Sequence, residues 1–227
     1  MMTASALLIF DLDGVLVDVT DSYRQTVIET VKHFTGVEVA NREIQARKNR
    51  GAANNDWRLA LELVCERGGS ATRDEIIAVF QKIYLGESCD GLIRRERWLA
   101  GEHLLERLAQ RWRLALFTGR ERWEAFYTLR KFAPQAVFDP VVGMEDVARE
   151  KPDPEGLLKI LREVEPEQAY YIGDTMDDCR AAQAAGVAFI GVAGSENPLQ
   201  AELLARFEQQ GARAVVSDLN ELERTLA

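Results

Sequence analysis

Five continuous apolar residues, Ala6-Leu7-Leu8-Ile9-Phe10, stop abruptly at Asp11-Leu12-Asp13-Gly14. A run this short, without polar alternation, fits a β-strand covered on both faces, and such strands belong to parallel sheets flanked by helices. The signature recurs at residues 114–117, 169–172, 187–192 and 214–216, each followed by a Gly, Asp or Ser cluster. Helical patterns occupy residues 121–132, 154–164, 175–185 and 198–210. Strand and helix alternating at this spacing predict an α/β fold: a Rossmann-like parallel sheet core with helices on both faces.

The segment after the first strand breaks that alternation. Tyr23, Val27, Val31 and Phe34 fall three and four residues apart, and Leu59, Leu63 and Val64 follow the same spacing on residues 56–67. A third helix opens at Thr72, whose partner Glu75 completes a capping box, with Ile76, Phe80 and Ile83 on one face. The expected organisation is an α-helical domain, residues 17–95, inserted into an α/β core made of residues 1–16 and 96–227.

Charge narrows the function. The 227 residues carry 28 basic and 37 acidic side chains, a net of -9, which argues against a nucleic-acid or anionic-membrane partner because both need a basic face. The N-terminal apolar run is too short for a spanning helix or a signal-peptide core. Cys65, Cys89 and Cys179 are widely spaced and read as reduced, buried thiols of a cytoplasmic protein. Trp57, Trp98, Trp112 and Trp123 read as packing residues.

Ligands of open α/β sheets bind at the carboxyl ends of the strands, which is where Asp11 and Asp13 stand. Alternation along an extended chain sends both carboxylates to one side, so a divalent cation or a shared proton is needed to relieve their repulsion. Gly14 permits a tight turn beside them. A second acidic group, Gly173-Asp174-Thr175-Met176-Asp177-Asp178, follows the strand at 169–172. Oxygen-only ligands favour a hard cation, Mg²⁺ above all. His33 and His103 are isolated, which leaves zinc without support. The EF-hand spacing fails as well, since Leu16 stands where its glycine is required. Thr118-Gly119-Arg120 offers a hydroxyl and free N–H groups at a strand-to-helix turn, and Lys151, before Pro152-Asp153-Pro154, can bring positive charge to an anion.

The ordered set Asp11-x-Asp13-Gly14, Phe117-Thr118-Gly119, Lys151-Pro152 and Gly173-Asp174-x-x-x-Asp178 resembles the haloacid dehalogenase superfamily. The helical insertion is similar to the cap of the subgroup that includes phosphoglycolate phosphatase and β-phosphoglucomutase. The resemblance implies a Mg²⁺-dependent phosphatase acting on a small phosphorylated metabolite. Asp11 would be the nucleophile that forms an aspartyl-phosphate, and Asp13 the acid and then the base. Thr118 and Gly119 would hold the phosphoryl group, and Lys151 would neutralise it. Asp11, the Asp13 backbone carbonyl, Asp174 and Asp178 would form the metal site. The spacing favours Asp178 over Asp177 as the second acid of the last motif. Asp13 favours phosphate chemistry over dehalogenation, because a halide leaves without a proton.

A phosphomutase would share the first half-reaction, and a receiver-like phosphoacceptor module collects similar groups. The long insertion and the Asp13 acid/base speak against the second. Substrate discrimination has to come from groups beyond the phosphate. Arg47, Lys48 and Arg50, with Asn54, Asn55 and Trp57 beside them, suit a small anionic organic group, and Arg120 is a further candidate contact. Of these, Lys48, Arg50, Asn54 and Arg120 are the expected specificity residues. The bland alternatives are a polar interhelical loop for residues 47–51 and a solvated arginine for Arg120.

Overall fold

The computed structural model describes residues 6–51 and 53–226. Residues 1–5 and 227 of the expected core, and residue 52 of the expected insertion, lie outside the described residues. In chain order the strands are β1 (Ala6–Phe10), β2 (Val17–Asp18), β3 (Arg97–Trp98), β4 (Arg113–Phe117), β5 (Val141–Val142), β6 (Gln168–Gly173), β7 (Ala188–Val192) and β8 (Ala214–Val216). Six of them form one parallel sheet in the order β5-β4-β1-β6-β7-β8. β1 is central, and the chain leaves it in one direction for β4 and in the other for β6.

Period-two alternation sends β1 into two apolar layers at once. Leu7 and Ile9 join Ala115, Tyr171 and Phe189 on one face, while Leu8 and Phe10 join Leu114, Leu116 and Ile172 on the other. Each fully buried Leu, Ile or Phe contributes about 1.5–3 kcal/mol. This double burial explains why the run is uninterrupted until Asp11, where the strand leaves the sheet. Helices α5 (Leu104–Ala109), α6 (Arg122–Phe132), α7 (Glu155–Val164), α8 (Met176–Ala185), α9 (Gln200–Gln209) and α10 (Leu222–Thr225) complete the core.

Between β2 and β3, which pair as an antiparallel ribbon through Val17 and Trp98, the described residues form helices and their connections, with no strand. A π-helical turn, Thr20–Arg24, leads into α1 (Gln25–Thr35), followed by α2 (Asn41–Arg50), α3 (Asp56–Glu66) and α4 (Arg73–Leu85). The capping box of Thr72 and Glu75 is present, with both reciprocal bonds made. Val27, Val31, Leu59, Leu63, Ile76 and Phe80 form the buried seam of the bundle.

Several local features differ from the sequence expectation. Residues 47–50 are the last turn of α2, not a loop. That helix is short of apolar residues and buries Ile44, Gln45 and Asn49. β5 has two residues and β2–β3 two each, too few for any periodicity to register. Cys65 is exposed and Cys89 half-buried, so only Cys179 is a buried thiol. Trp112 is buried and Trp98 stacks on Phe132, but Trp123 is 45% exposed. No helix among the described residues is long and apolar enough to cross a membrane.

Candidate active site

β1 delivers Asp11 to the mouth of the sheet, where it meets the ends of β4 and β6. Its Oδ1 accepts from the Leu12 N–H at 2.7 Å and faces Lys151 Nζ at 3.0 Å. Lys151 Nζ also lies 2.8 Å from Asp178 Oδ1, 4.7 Å above the Phe117 ring and 5.4 Å from that of Tyr171. The lysine is therefore not a surface residue. Burial disfavours its charge, but Asp11 and Asp178 more than offset this and raise its pKa above the usual value.

Asp178 owes its position to helix capping. Thr175 precedes α8, its Oγ1 accepts from the Asp178 N–H, and Asp178 Oδ2 accepts in return from the Thr175 N–H at 3.0 Å and hydroxyl at 2.5 Å. Tyr171 OH donates to Oδ1 at 2.7 Å. Burial alone would raise this acid, yet Lys151 and its donors hold it below the usual carboxylate range. Gly173 is required for the approach, because a Cβ there would lie 2.5 Å from the Asp178 Cβ. Gly14, at φ +71, is required likewise, since its Cβ would fall 1.9 Å from Asp174 Oδ2. Asp177 points elsewhere, with Oδ2 accepting from the Ala53 N–H at 3.1 Å.

The carboxylates of Asp11, Asp174 and Asp178 offer oxygens that lie within 4.8 Å of one another. Three carboxylates around one lysine leave a formal charge of about -2 in a buried site, which a divalent cation would cancel. Burial and then mutual repulsion push Asp174 well above its usual pKa, and no described residue donates a hydrogen bond to it. Asp11 is pushed up to about 7, by burial first and by Asp178 and Asp13 in addition, against the pull of Lys151. The donor set thus fits a hard cation, with Asp11 and Asp174 holding free oxygens. Asp178 is already engaged by Tyr171, Lys151 and Thr175.

Asp13 stands apart from this cluster. Its Oδ1 accepts from Arg120 Nε at 2.8 Å and Nη2 at 2.5 Å. Each of the two neighbouring acids faces its own buried cation, Lys151 for Asp11 and Arg120 for Asp13, although Asp13 still contributes to the raised pKa of Asp11. Arg120 itself departs from both readings of the sequence. It is neither solvated nor free to hold a substrate, with 2% of its surface exposed and its donors engaged by protein groups. Thr118 is buried at the end of β4, and its hydroxyl oxygen accepts from the Arg120 N–H at 3.2 Å, leaving its own proton free.

A cavity opens in front of Asp11, Asp13, Gly119 and Asp174, closed on the far side by Arg24, Lys48, Asn54 and Trp57 of the insertion. Thr118, Lys151 and Asp178 are buried and do not line it. Lys48 is held by Asp56 at 2.8 Å. Arg50 does not reach this space; its side chain is exposed and its carbonyl accepts from Arg180 Nη2 at 3.1 Å. Arg47 likewise pairs outward with Glu66. Arg24 takes their place. It is 4% exposed, its Nε has no hydrogen-bond partner, and Nη1 reaches Thr20 Oγ1 at 3.3 Å. Nothing in the local sequence marks it, because it sits among residues that read as an ordinary amphipathic helix.

The chain belongs to the haloacid dehalogenase-like hydrolases, whose family model matches residues 8–192. Among curated relatives, a protein of Phytophthora nicotianae named imidazoleglycerol-phosphate dehydratase is 37% identical over 82% of this chain and 42% of its own length. Phosphoglycolate phosphatase 1 of Pseudomonas aeruginosa is 26% identical over 80% of this chain and 66% of its own length. The chain therefore spans less than half of the first relative and about two thirds of the second. In fold it is similar to a solved Bacteroides fragilis protein described as a haloacid dehalogenase-like hydrolase, with a TM-score of 0.75 at 23% identity, covering 95% of this chain and 98% of that one.

Proposed function

We propose that this chain is a Mg²⁺-dependent phosphatase of a small phosphorylated metabolite, working through a phosphorylated Asp11. The observation that carries the reading is the buried constellation at the end of β1, with Asp11 facing Lys151 Nζ at 3.0 Å and grouped with Asp174 and Asp178. An anionic carboxylate attacks an anionic phosphate only when positive charge is supplied, and this pocket concentrates the means to supply it. Asp11 and Asp174, with Asp178 behind them, would hold the Mg²⁺, whose chemistry is charge neutralisation of phosphoryl oxygens.

The remaining roles fall to the chain's own residues. An Asp11 oxygen bonds to phosphorus as the bond to the leaving oxygen breaks, and Asp13 gives that oxygen its proton. A water then attacks phosphorus, its proton passes to Asp13, and Asp11 is released. Thr118 and the Gly119 N–H would bind phosphoryl oxygens, and Lys151 would balance the charge on the acyl-phosphate. Helices α1–α4 would act as the cap that excludes bulk water. Arg24 and Lys48 on the cavity's far wall favour a substrate that carries a second anionic group. Phosphatase relatives support this reading. The dehydratase name belongs to a protein of which this chain spans 42% and is not carried over.

The test is release of phosphate from a panel of phosphorylated metabolites, with Mg²⁺ and with a chelator. Turnover that depends on Mg²⁺ and is lost in Asp11→Asn is expected. Activity indifferent to chelation, or none on any ester, overturns the reading. Phosphate appearing on an added sugar phosphate instead of in solution would reassign the chain as a mutase.

A further inference from the structure

Arg120 is a large, almost fully buried side chain in the molecule's charged interior. Its guanidinium has five N–H donors, and each of its three nitrogens has a hydrogen-bond partner. Nε and Nη2 donate to Asp13 Oδ1, and Nη2 also lies 2.7 Å from Glu96 Oε1 as an ion pair. Nη1 donates to Tyr84 OH at 2.9 Å and Thr128 Oγ1 at 3.0 Å. Those two hydroxyls pass their own protons to Glu96, at 2.8 Å each. The ring of Tyr23 lies 4.8 Å beneath the guanidinium. Tyr84 belongs to α4 and Tyr23 to the turn before α1, while Glu96 immediately precedes β3, where the chain returns to the core.

We propose that Arg120 is a positioning residue for Asp13, tying the aim of that carboxylate to the seating of the helical insertion. The inference rests on the phosphatase reading above. Both of its bonds to Asp13 end on Oδ1, which leaves Oδ2 without an Arg120 bond and able to serve as the acid oxygen. A bonded fork fixes the carboxylate's rotation in a way that a lysine's single point charge does not. The fork is itself fixed by Tyr84 of the insertion, Glu96 of its return segment and Thr128 of α6, so Asp13 is aimed when α4 sits against the core as seen here. Arg120 touches none of Asp11, Asp174 and Asp178, so its effect falls on proton transfer and not on the cation site.

The experiment compares kcat/KM for phenyl phosphate and 2,4-dinitrophenyl phosphate in Mg²⁺, in the wild type, Asp13→Asn, Arg120→Lys and Tyr84→Phe. The two esters share a ring, but the dinitrophenolate leaves without a proton, so only phenyl phosphate needs a well-aimed acid. Asp13→Asn sets the scale, lowering the phenyl-to-dinitrophenyl ratio by about 10² or more. Arg120→Lys should lower the same ratio by about tenfold or more, and Tyr84→Phe by several-fold, while the Mg²⁺-induced rise in melting temperature keeps its wild-type size. Tyr84→Phe removes a single oxygen, so it decides the matter even if Arg120→Lys does not fold. Equal losses on both esters, or an unmoved ratio in Tyr84→Phe, would reduce the network to a purely structural one. Hydrolysis of neither ester by the wild type would instead defeat the phosphatase reading, and this inference with it.

Discussion

Replacing Asp11 with Asn should remove turnover and yet stabilise the chelated protein above neutral pH. The folded chain holds Asp11 at a pKa of about 7, against an ordinary 3.8. Below the ordinary value both folded and unfolded states keep the proton, and the group's favourable contribution is complete. As pH rises toward 7 the unfolded chain has released that proton while the folded one retains it, so stability falls. Roughly three pH units at about 1.4 kcal/mol each give an upper figure of about 4 kcal/mol lost by pH 8. The amide escapes that loss but leaves Lys151 with Asp178 as its remaining anion, which offsets about 1–3 kcal/mol. The net gain is about 1–3 kcal/mol, or roughly 2–12 °C for a chain of this size. The assay is thermal melting of both proteins in EDTA at pH 5, 6, 7 and 8. The difference in Tm should grow in favour of Asp11→Asn as pH rises and shrink again when Mg²⁺ is added, because the ion stabilises the wild type more. Parallel curves across the whole pH range would refute the electrostatic account of the site.

Three further outcomes follow from the same geometry. Lys151→Met leaves Asp11 and Asp178 buried without their shared cation, and should cost about 3–5 kcal/mol of stability in chemical denaturation along with all measurable turnover. Gly173→Ala places a methyl 2.5 Å from the Asp178 Cβ; displacing α8 should cost about 1–3 kcal/mol in the same assay and weaken Mg²⁺ binding. Arg24→Ala should raise KM for a phosphoester bearing a carboxylate by about tenfold relative to its uncharged isostere, measured side by side, since a charge-assisted bond is worth about 1.5–3 kcal/mol.

The fold was legible wherever a segment buries itself through its own pattern. β1 and its parallel neighbours read clearly because both faces are covered, and α4 announced its start through Thr72 and Glu75. The acids were legible because carboxylates at a strand end make little sense without a ligand. What escaped depends on partners far away in sequence. Arg120 and Asp13 are 107 residues apart, and nothing local distinguishes an arginine with its donors engaged from a solvated one. Arg24 hid within a helical pattern. Arg47 and Arg50 looked like a specificity cluster, but helix α2 turns Arg47 toward Glu66 and leaves the Arg50 side chain in solvent. Residue 178 carried two signals, a motif spacing and a Thr-x-x-Asp cap, and the structure unites them by using the cap to aim the acid at Lys151.

The most direct test of the central claim is to trap the phosphorylated enzyme. The wild type is mixed with ³²P-labelled phenyl phosphate and Mg²⁺, quenched in acid within the first turnover, and digested for peptide mapping. The account predicts label on the peptide that contains Asp11, released by hydroxylamine as an acyl-phosphate must be, and absent in Asp11→Asn or in EDTA. Steady turnover with no labelled peptide at any quench time, or label that persists in Asp11→Asn, would contradict it.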